Sequence, residues 1–192
     1  RLVGSEMCIR DSATVAPDRI PGTYSTSFRA VNFETSSTGY ITTYSAAPTN
    51  ETMFVVFNNP SPGSGYNFIL IGGVSGARSL GAGSSAGGVG TTVANLNTQI
   101  AWLASTGTYT AGTTALVTSQ FTTSTNSISL NGGTTVTGGA PGFTAGRVTY
   151  LGVDATNPIF YYQGYAMEIL FYDSVLNTTQ RQTIEELSLI HI

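Results

Sequence analysis

Short runs of β-branched and aromatic residues alternate along the chain with clusters of Gly, Ser, Asn and Pro. This rhythm predicts a sandwich of short antiparallel strands. Residues 28–33 (Phe-Arg-Ala-Val-Asn-Phe) alternate weakly, and residues 40–44 (Tyr-Ile-Thr-Thr-Tyr) follow the turn pair Thr38-Gly39. Residues 53–57 (Met-Phe-Val-Val-Phe) are a continuous apolar run that ends in Asn58-Asn59-Pro60-Ser61-Pro62-Gly63. An unbroken run of this kind predicts a strand covered on both faces. Residues 68–71 form another run, stopped by Gly72-Gly73. Residues 75–90 are rich in Gly and Ser and predict a loop with a short strand near residues 78–80. A linker between two domains is the other reading, but neither half has enough apolar runs to close a core. Val93, Leu96, Ile100, Trp102 and Leu103 mark one or two further strands, with Trp102 expected in the core, and residues 114–121 predict another.

The clearest local signal is residues 127–136, Ser-Ile-Ser-Leu-Asn-Gly-Gly-Thr-Thr-Val. Asn131-Gly132 favours a type I′ turn, whose two central residues need positive φ and whose twist matches paired strands. Residues 148–153 and 165–172 predict two last strands, with residues 154–164 a rim loop between them. One helix is expected over residues 178–186. Asn177 can cap it, and Gln180 can complete a capping box.

The two ends have a different character. Residues 6–12 back-translate as GAG ATG TGT ATA AGA GAC AGx, and the reverse complement encodes Leu-Ser-Leu-Ile-His-Ile, which is residues 187–192. Residues 1–12 and 187–192 therefore resemble translated sequencing-adapter sequence and are expected to be a non-native leader and tail. Residues 13–186 are then a single domain, expected to be truncated at both ends. The flanks hold Cys8 and His191, the one cysteine and the one histidine of the chain. Ser-His-Asp triads, Cys-His pairs and His-ligated zinc each lose an essential member between them.

Charge narrows the field further. Ten Asp and Glu face seven Arg, there is no Lys, and the net charge is −3. With no basic stripe, a nucleic-acid backbone finds little to bind. No apolar run approaches a membrane span, so no membrane insertion is expected. Low charge with abundant Thr, Gly and aromatics points to β-structure with many turns rather than to disorder. The surface chemistry fits an extracellular or virion protein.

The C-terminal third carries a family likeness. Residues 127–132 resemble a strand running into a Tyr-Val-Asn-Gly hairpin. Residues 148–152 (Val-Thr-Tyr-Leu-Gly) resemble a Leu-Gly-Gly strand. Residues 163–172 (Gln-Gly-Tyr-Ala-Met-Glu-Ile-Leu-Phe-Tyr) resemble a strand of the form Phe-x-Gly-x-Ile-x-Glu-Val-x-Ile-Tyr. Residues 173–186 resemble that family's closing helix, with Asn177 where a capping Ser often stands. Together these resemble the laminin-G-like, concanavalin A-like jelly-roll domains, over roughly residues 28–186. The family's usual opening strand, Leu-Trp-Leu-Asp-Ala, is not in this sequence. The resemblance implies an all-β, antiparallel β-sandwich with one short C-terminal helix.

Such a fold hosts lectins, adhesive modules, glycosidases and lyases, so function must come from residues. A glycoside hydrolase needs two carboxyls flanking one bond. The Glu-x-Asp-x-x-Glu strand of the fold's glycosidases is not here, Glu168 stands alone on its strand, and Glu185-Glu186 are helical neighbours that do not share a face. Glu168 is expected to be structural. The resemblance implies a calcium site at one rim, for which Asp154 and Asn157 could supply oxygens, although the same residues form turns for ordinary reasons. Tyr161 and Tyr162 are candidates to stack on a sugar. As neighbours in an extended segment they point to opposite faces, one towards the core and one towards solvent. Residues 81–88 are glycine-rich but lack the following Lys and helix of a phosphate loop. The expectation is a non-catalytic binding or structural module of a larger extracellular or virion protein, such as a phage tail or capsid decoration. Its partner would be a glycan or cell-surface ligand, with Asp154, Asn157, Tyr161 and Tyr162 as contacts. The alternative is a glycoside hydrolase whose catalytic residues lie beyond the fragment.

Overall fold

A computed structural model of the chain describes residues 19–21, 29–33, 40–44, 50–60, 62, 68–72, 77–84, 88–96, 102–138, 147–152 and 162–190. In chain order the strands are β1 (Arg19–Pro21), β2 (Arg29–Phe33), β3 (Tyr40–Tyr44), β4 (Glu51–Asn58), β5 (Phe68–Gly72), β6 (Ala77–Ser84) and β7 (Gly88–Leu96). They continue with β8 (Trp102–Ala104), β9 (Thr114–Phe121), β10 (Asn126–Leu130), β11 (Val136–Gly138), β12 (Arg147–Leu151) and β13 (Gly164–Tyr172), and helix α1 (Thr178–Ile190) closes the described chain. A 7-stranded sheet runs β1-β2-β13-β4-β9-β10-β11, and a 6-stranded sheet runs β3-β12-β5-β6-β7-β8. Among the described residues every strand pairing within either sheet is antiparallel.

Alternation along β4 explains its unbroken apolar run. Met53, Val55 and Phe57 face the space between the sheets, where they pack with Ile69, Leu80, Val93, Val117 and Ile128. Phe54 and Val56 face the other way and form a second cluster with Leu116, Leu176 and, from α1, Ile184 and Leu189. The strand is thus buried on both faces, between the second sheet and the helix. Burying each such side chain contributes about 1.5–3 kcal/mol.

The Asn-Gly turn forms as the sequence predicts. Asn131 and Gly132 have φ of 50° and 66°, and the Gly133 amide donates to the Leu130 carbonyl at 2.9 Å. Asn131 does more than tolerate positive φ. Its amide donates to the Leu116 carbonyl at 2.7 Å, and its Oδ1 accepts from the Leu116 amide at 2.8 Å. The side chain completes a β9–β10 ladder rung that the turning main chain has left.

Two expectations are corrected. The glycine-rich segment is a hairpin of two full strands, β6 and β7, rather than a loop with one short strand. Leu80 and Ala82 follow the two-residue period and are fully buried with Val93, but the intervening Gly81 and Gly83 hide that period in the sequence. The helix also runs past residue 186. Residues 187–190, expected to be part of a non-native tail, continue α1, with Ser188 buried and Leu189 packed on the outer face of the larger sheet.

Candidate functional site

One end of the sandwich gathers the last residues of β4, the β8–β9 connection and the segment that enters β13. Tyr162 is fully buried and donates its hydroxyl to the Asn58 carbonyl at 2.8 Å, while its amide donates to the Gly152 carbonyl at 2.8 Å. Gly164 passes so close that a Cβ there would meet the Asn58 carbonyl oxygen at 2.3 Å and the Tyr162 hydroxyl at 2.7 Å. Position 164 therefore admits no side chain. The Asn58 amide donates from Nδ2 to the Gly112 carbonyl at 2.8 Å, and the Gly112 amide returns a bond to the Asn59 carbonyl at 2.9 Å. Asn59 Nδ2 donates to the Tyr109 hydroxyl at 3.1 Å, and the Tyr109 ring stands edge-on to Phe57 at 5.2 Å between centroids.

Burial dominates the chemistry of both phenols. It pushes the Tyr109 hydroxyl up to about 12, against a smaller lowering by Asn59. It pushes Tyr162 well above the ordinary phenol value, with the neighbouring Tyr109 adding to the rise. Both are neutral hydrogen-bonding struts at physiological pH. Asn58 Oδ1 is buried and meets no donor among the described residues. Outside this frame Thr106, Thr108, Thr110 and Thr113 are exposed, so the β8–β9 connection presents an uncharged, hydroxyl-rich surface.

The carboxylates sit elsewhere. Glu185 on α1 is buried and accepts from Ser129 Oγ at 3.2 Å and from Arg181 at 3.4 Å. Arg181 also donates to Ser129 Oγ at 3.1 Å and Thr135 Oγ1 at 2.8 Å, which fastens the helix to β10 and to the turn after it. A second polar clamp holds the approach to the helix. Thr52 Oγ1 donates to the Ser174 carbonyl at 2.8 Å and accepts from the Leu176 amide at 3.1 Å, while Gln120 Nε2 reaches the Leu176 carbonyl at 2.8 Å. The expected capping box then starts α1: the Gln180 amide donates to Asn177 Oδ1 at 3.0 Å, and the Asn177 amide to Gln180 Oε1 at 3.1 Å. Glu168 lies opposite Val56, just after a bulge that lets Ala166 and Ile169 both face the core.

Of the sequence candidates, Asp154, Asn157 and Tyr161 lie outside the described residues, as does the side chain of Trp102. Tyr162 is the core member of its pair. Its ring has no exposed face for a sugar, because its hydroxyl is spent inside on Asn58. Asn131 and Gly132 hold the turn assigned to them. Among the described residues, no three of His, Cys, Asp and Glu gather closely enough to hold a metal ion. No helix among them is long and apolar enough to cross a membrane. The polar frame of Asn58, Asn59 and Tyr109 had a faint sequence signal: an Asn-Asn pair at a strand end reads as a turn, although both asparagines are buried here.

No protein-family model matches the sequence, and no curated protein matches it. Solved structures do match in shape. A heptameric SAP-like pentraxin from Limulus polyphemus superposes with a TM-score of 0.62 at 12% identity, covering 80% of this chain and 78% of the pentraxin. The fold is a concanavalin A-like jelly roll. The same jelly roll is matched by Trypanosoma rangeli sialidase, with a TM-score of 0.59 at 14% identity, covering 82% of this chain and 27% of the sialidase. The binding domain of botulinum neurotoxin DC, in complex with SialylT, matches with a TM-score of 0.57 at 9% identity, over 78% of this chain and 39% of the other. The chain spans about a quarter of the sialidase, and at these identities the likeness is one of fold.

Proposed function

We propose that this jelly roll is a non-catalytic, glycan-binding module of laminin-G-like type within a larger extracellular or virion protein. The observation that carries the reading is the division of labour between its two ends and faces. Glu185 is locked into the helix clamp by Arg181 and Ser129, so it is committed to structure. The loop end around Asn58, Asn59 and Tyr109 is a rigid, uncharged frame under a threonine-rich surface. Neutral hydroxyls and amides held by a stiff scaffold suit hydrogen bonding to sugar hydroxyls and do not suit acid–base cleavage. A concanavalin A-like neurotoxin domain bound to SialylT supports the idea that such a jelly roll can serve as a binding domain. Asp154, Asn157 and Tyr161 are the proposed contacts, and calcium is the ion that Asp154 and Asn157 would suit.

A glycan array probed with the full chain, with calcium and with chelator, tests this. Specific glycan binding that weakens in Asp154→Ala and Tyr161→Ala supports it. No binding to any glycan would favour a structural spacer. Turnover of a polysaccharide that disappears in Glu168→Gln would instead establish a hydrolase.

A further inference from the structure

Asn131 and Gly132 carry covalent chemistry as well as a turn. An asparagine side chain is thermolabile. When glycine follows it, the next main-chain nitrogen has no side chain beside it to hinder attack on the asparagine amide carbon. Asn131-Gly132 is the one such pair in the sequence. Asn131, Gly132, Gly133 and Thr134 are all exposed, so water reaches the site.

Whether attack can occur is a matter of main-chain geometry. The Gly132 nitrogen must lie on the same side of the Asn131 Cα–C bond as Cβ. A type II′ turn provides this, with ψ of about −120° at its first central residue and negative φ at its second. The turn here is the other kind. Gly132 has a φ of 66°, positive like the 50° of Asn131, which makes the turn type I′. In that turn the first central residue has ψ of about +30°. The Gly132 nitrogen then lies nearly opposite Cβ, out of reach of the amide carbon. The side chain is held as well, because Asn131 Oδ1 accepts from the Leu116 amide at 2.8 Å. Swinging the amide carbon towards Gly132 breaks that bond and leaves the N–H of the fully buried Leu116 without its acceptor, which is costly.

We propose that Asn131 is a conformation-gated deamidation site, silent while the β9–β10 rung is closed and reactive whenever the turn opens. In the open chain the Gly132 nitrogen bonds to Cγ of Asn131. The Cγ–Nδ2 bond breaks, and Nδ2 leaves as ammonia with the proton from the Gly132 nitrogen. Water then opens the cyclic imide. Cleavage of the new bond gives Asp at position 131. Cleavage of the old main-chain bond gives isoaspartate, whose side-chain carbon now lies in the main chain. The aspartate form keeps an oxygen for the Leu116 amide. The isoaspartate form does not, because its main chain is one carbon longer and neither turn nor rung re-forms. Both forms add a carboxylate to the turn beside Glu185, whose Oε2 lies 3.8 Å from where a Cβ on Gly132 would stand. A single opening is thus recorded permanently at the foot of the clamp between α1 and β10.

Mass spectrometry of the peptide carrying residue 131 tests the proposal, after the full chain is aged in mildly alkaline buffer with and without denaturing urea. Urea is expected to speed the amide-to-acid mass gain by about tenfold or more, since the rung no longer has to be broken before attack. Asn131→Gln aged in urea is expected to show no gain at this position, because its longer side chain cyclises far more slowly. Chains aged to isoaspartate and returned to buffer are expected to melt below Asn131→Asp taken through the same urea step, since that variant adds the charge on an unaltered main chain. Equal rates in buffer and in urea would overturn the gate. A wild type unchanged at residue 131 in urea would overturn the site. Isoaspartate chains that melt together with Asn131→Asp would overturn the loss of the rung.

Discussion

The hydroxyl of Tyr162 and the main-chain carbonyl of Asn58 meet at 2.8 Å although 104 residues separate them in sequence. This bond ties the entrance of β13 to the exit of β4, and Gly164 is packed against both partners. Tyr162→Phe is expected to lower stability by about 1–3 kcal/mol, because it leaves a buried carbonyl without its donor. Gly164→Ala is expected to be worse, since its Cβ would collide with main-chain oxygen that cannot swing away. Urea unfolding of the two variants checks the order. Equal, small losses would show that this junction is looser than its geometry implies.

The clamp between α1 and β10 predicts a non-additive pair. Glu185→Ala leaves the Arg181 guanidinium facing Ser129 and Thr135 without its carboxylate, and Arg181→Ala leaves a buried carboxylate without its cation. Each single change is expected to destabilise by about 1–3 kcal/mol, with the double variant losing less than the sum. A double-mutant cycle by chemical denaturation measures the coupling. Strict additivity would show the ion pair to be idle.

High pH should unfold the protein through its buried phenols. The folded pKa of Tyr109 is raised to about 12 from an unfolded value of 10.0. Below pH 10 both states hold the proton and stability is unaffected by it. Between pH 10 and about 12 the unfolded state loses the proton first, so stability falls as pH rises. Tyr109→Phe is expected to flatten part of that fall, which urea titrations on either side of pH 10 would reveal.

The two ends of the chain are expected to behave differently. Deleting residues 1–12 should change the Tm little. Deleting residues 187–192 should lower it, because Leu189 packs with Ile184 and Leu176 on the outer face of the larger sheet. Differential scanning calorimetry of the two truncations separates them. A large loss on removing residues 1–12 would show that they are part of the fold.

Much of this architecture was legible from local chemistry. The Asn131-Gly132 turn, the Asn177–Gln180 capping box and the doubly covered β4 each follow from a few adjacent residues. The β6–β7 hairpin was not legible, because Gly81 and Gly83 carry no side chain to show the period that Leu80 and Ala82 obey. The frame around Asn58 was hidden for another reason. An asparagine is read as a turn former, and its burial here depends on Gly112 and Tyr162, which are distant in sequence. The helix was expected to end at residue 186 because residues 187–192 resemble adapter sequence, whereas Leu189 packs on the cluster of Phe54 and Leu116 from β4 and β9.

β13 lies between β2 and β4 in the larger sheet, yet it is the last strand in chain order. On a ribosome, then, the early strands of this sheet must wait for their central partner, and the sheet cannot assemble from its N-terminal side as the chain emerges. Topologies of this kind close late and fold slowly. Until β13 and α1 arrive, β4 presents Phe54, Val56 and a free ladder edge to the surroundings. Newly made chains are therefore expected to depend on chaperone protection for most of their synthesis, however stable the finished sandwich is.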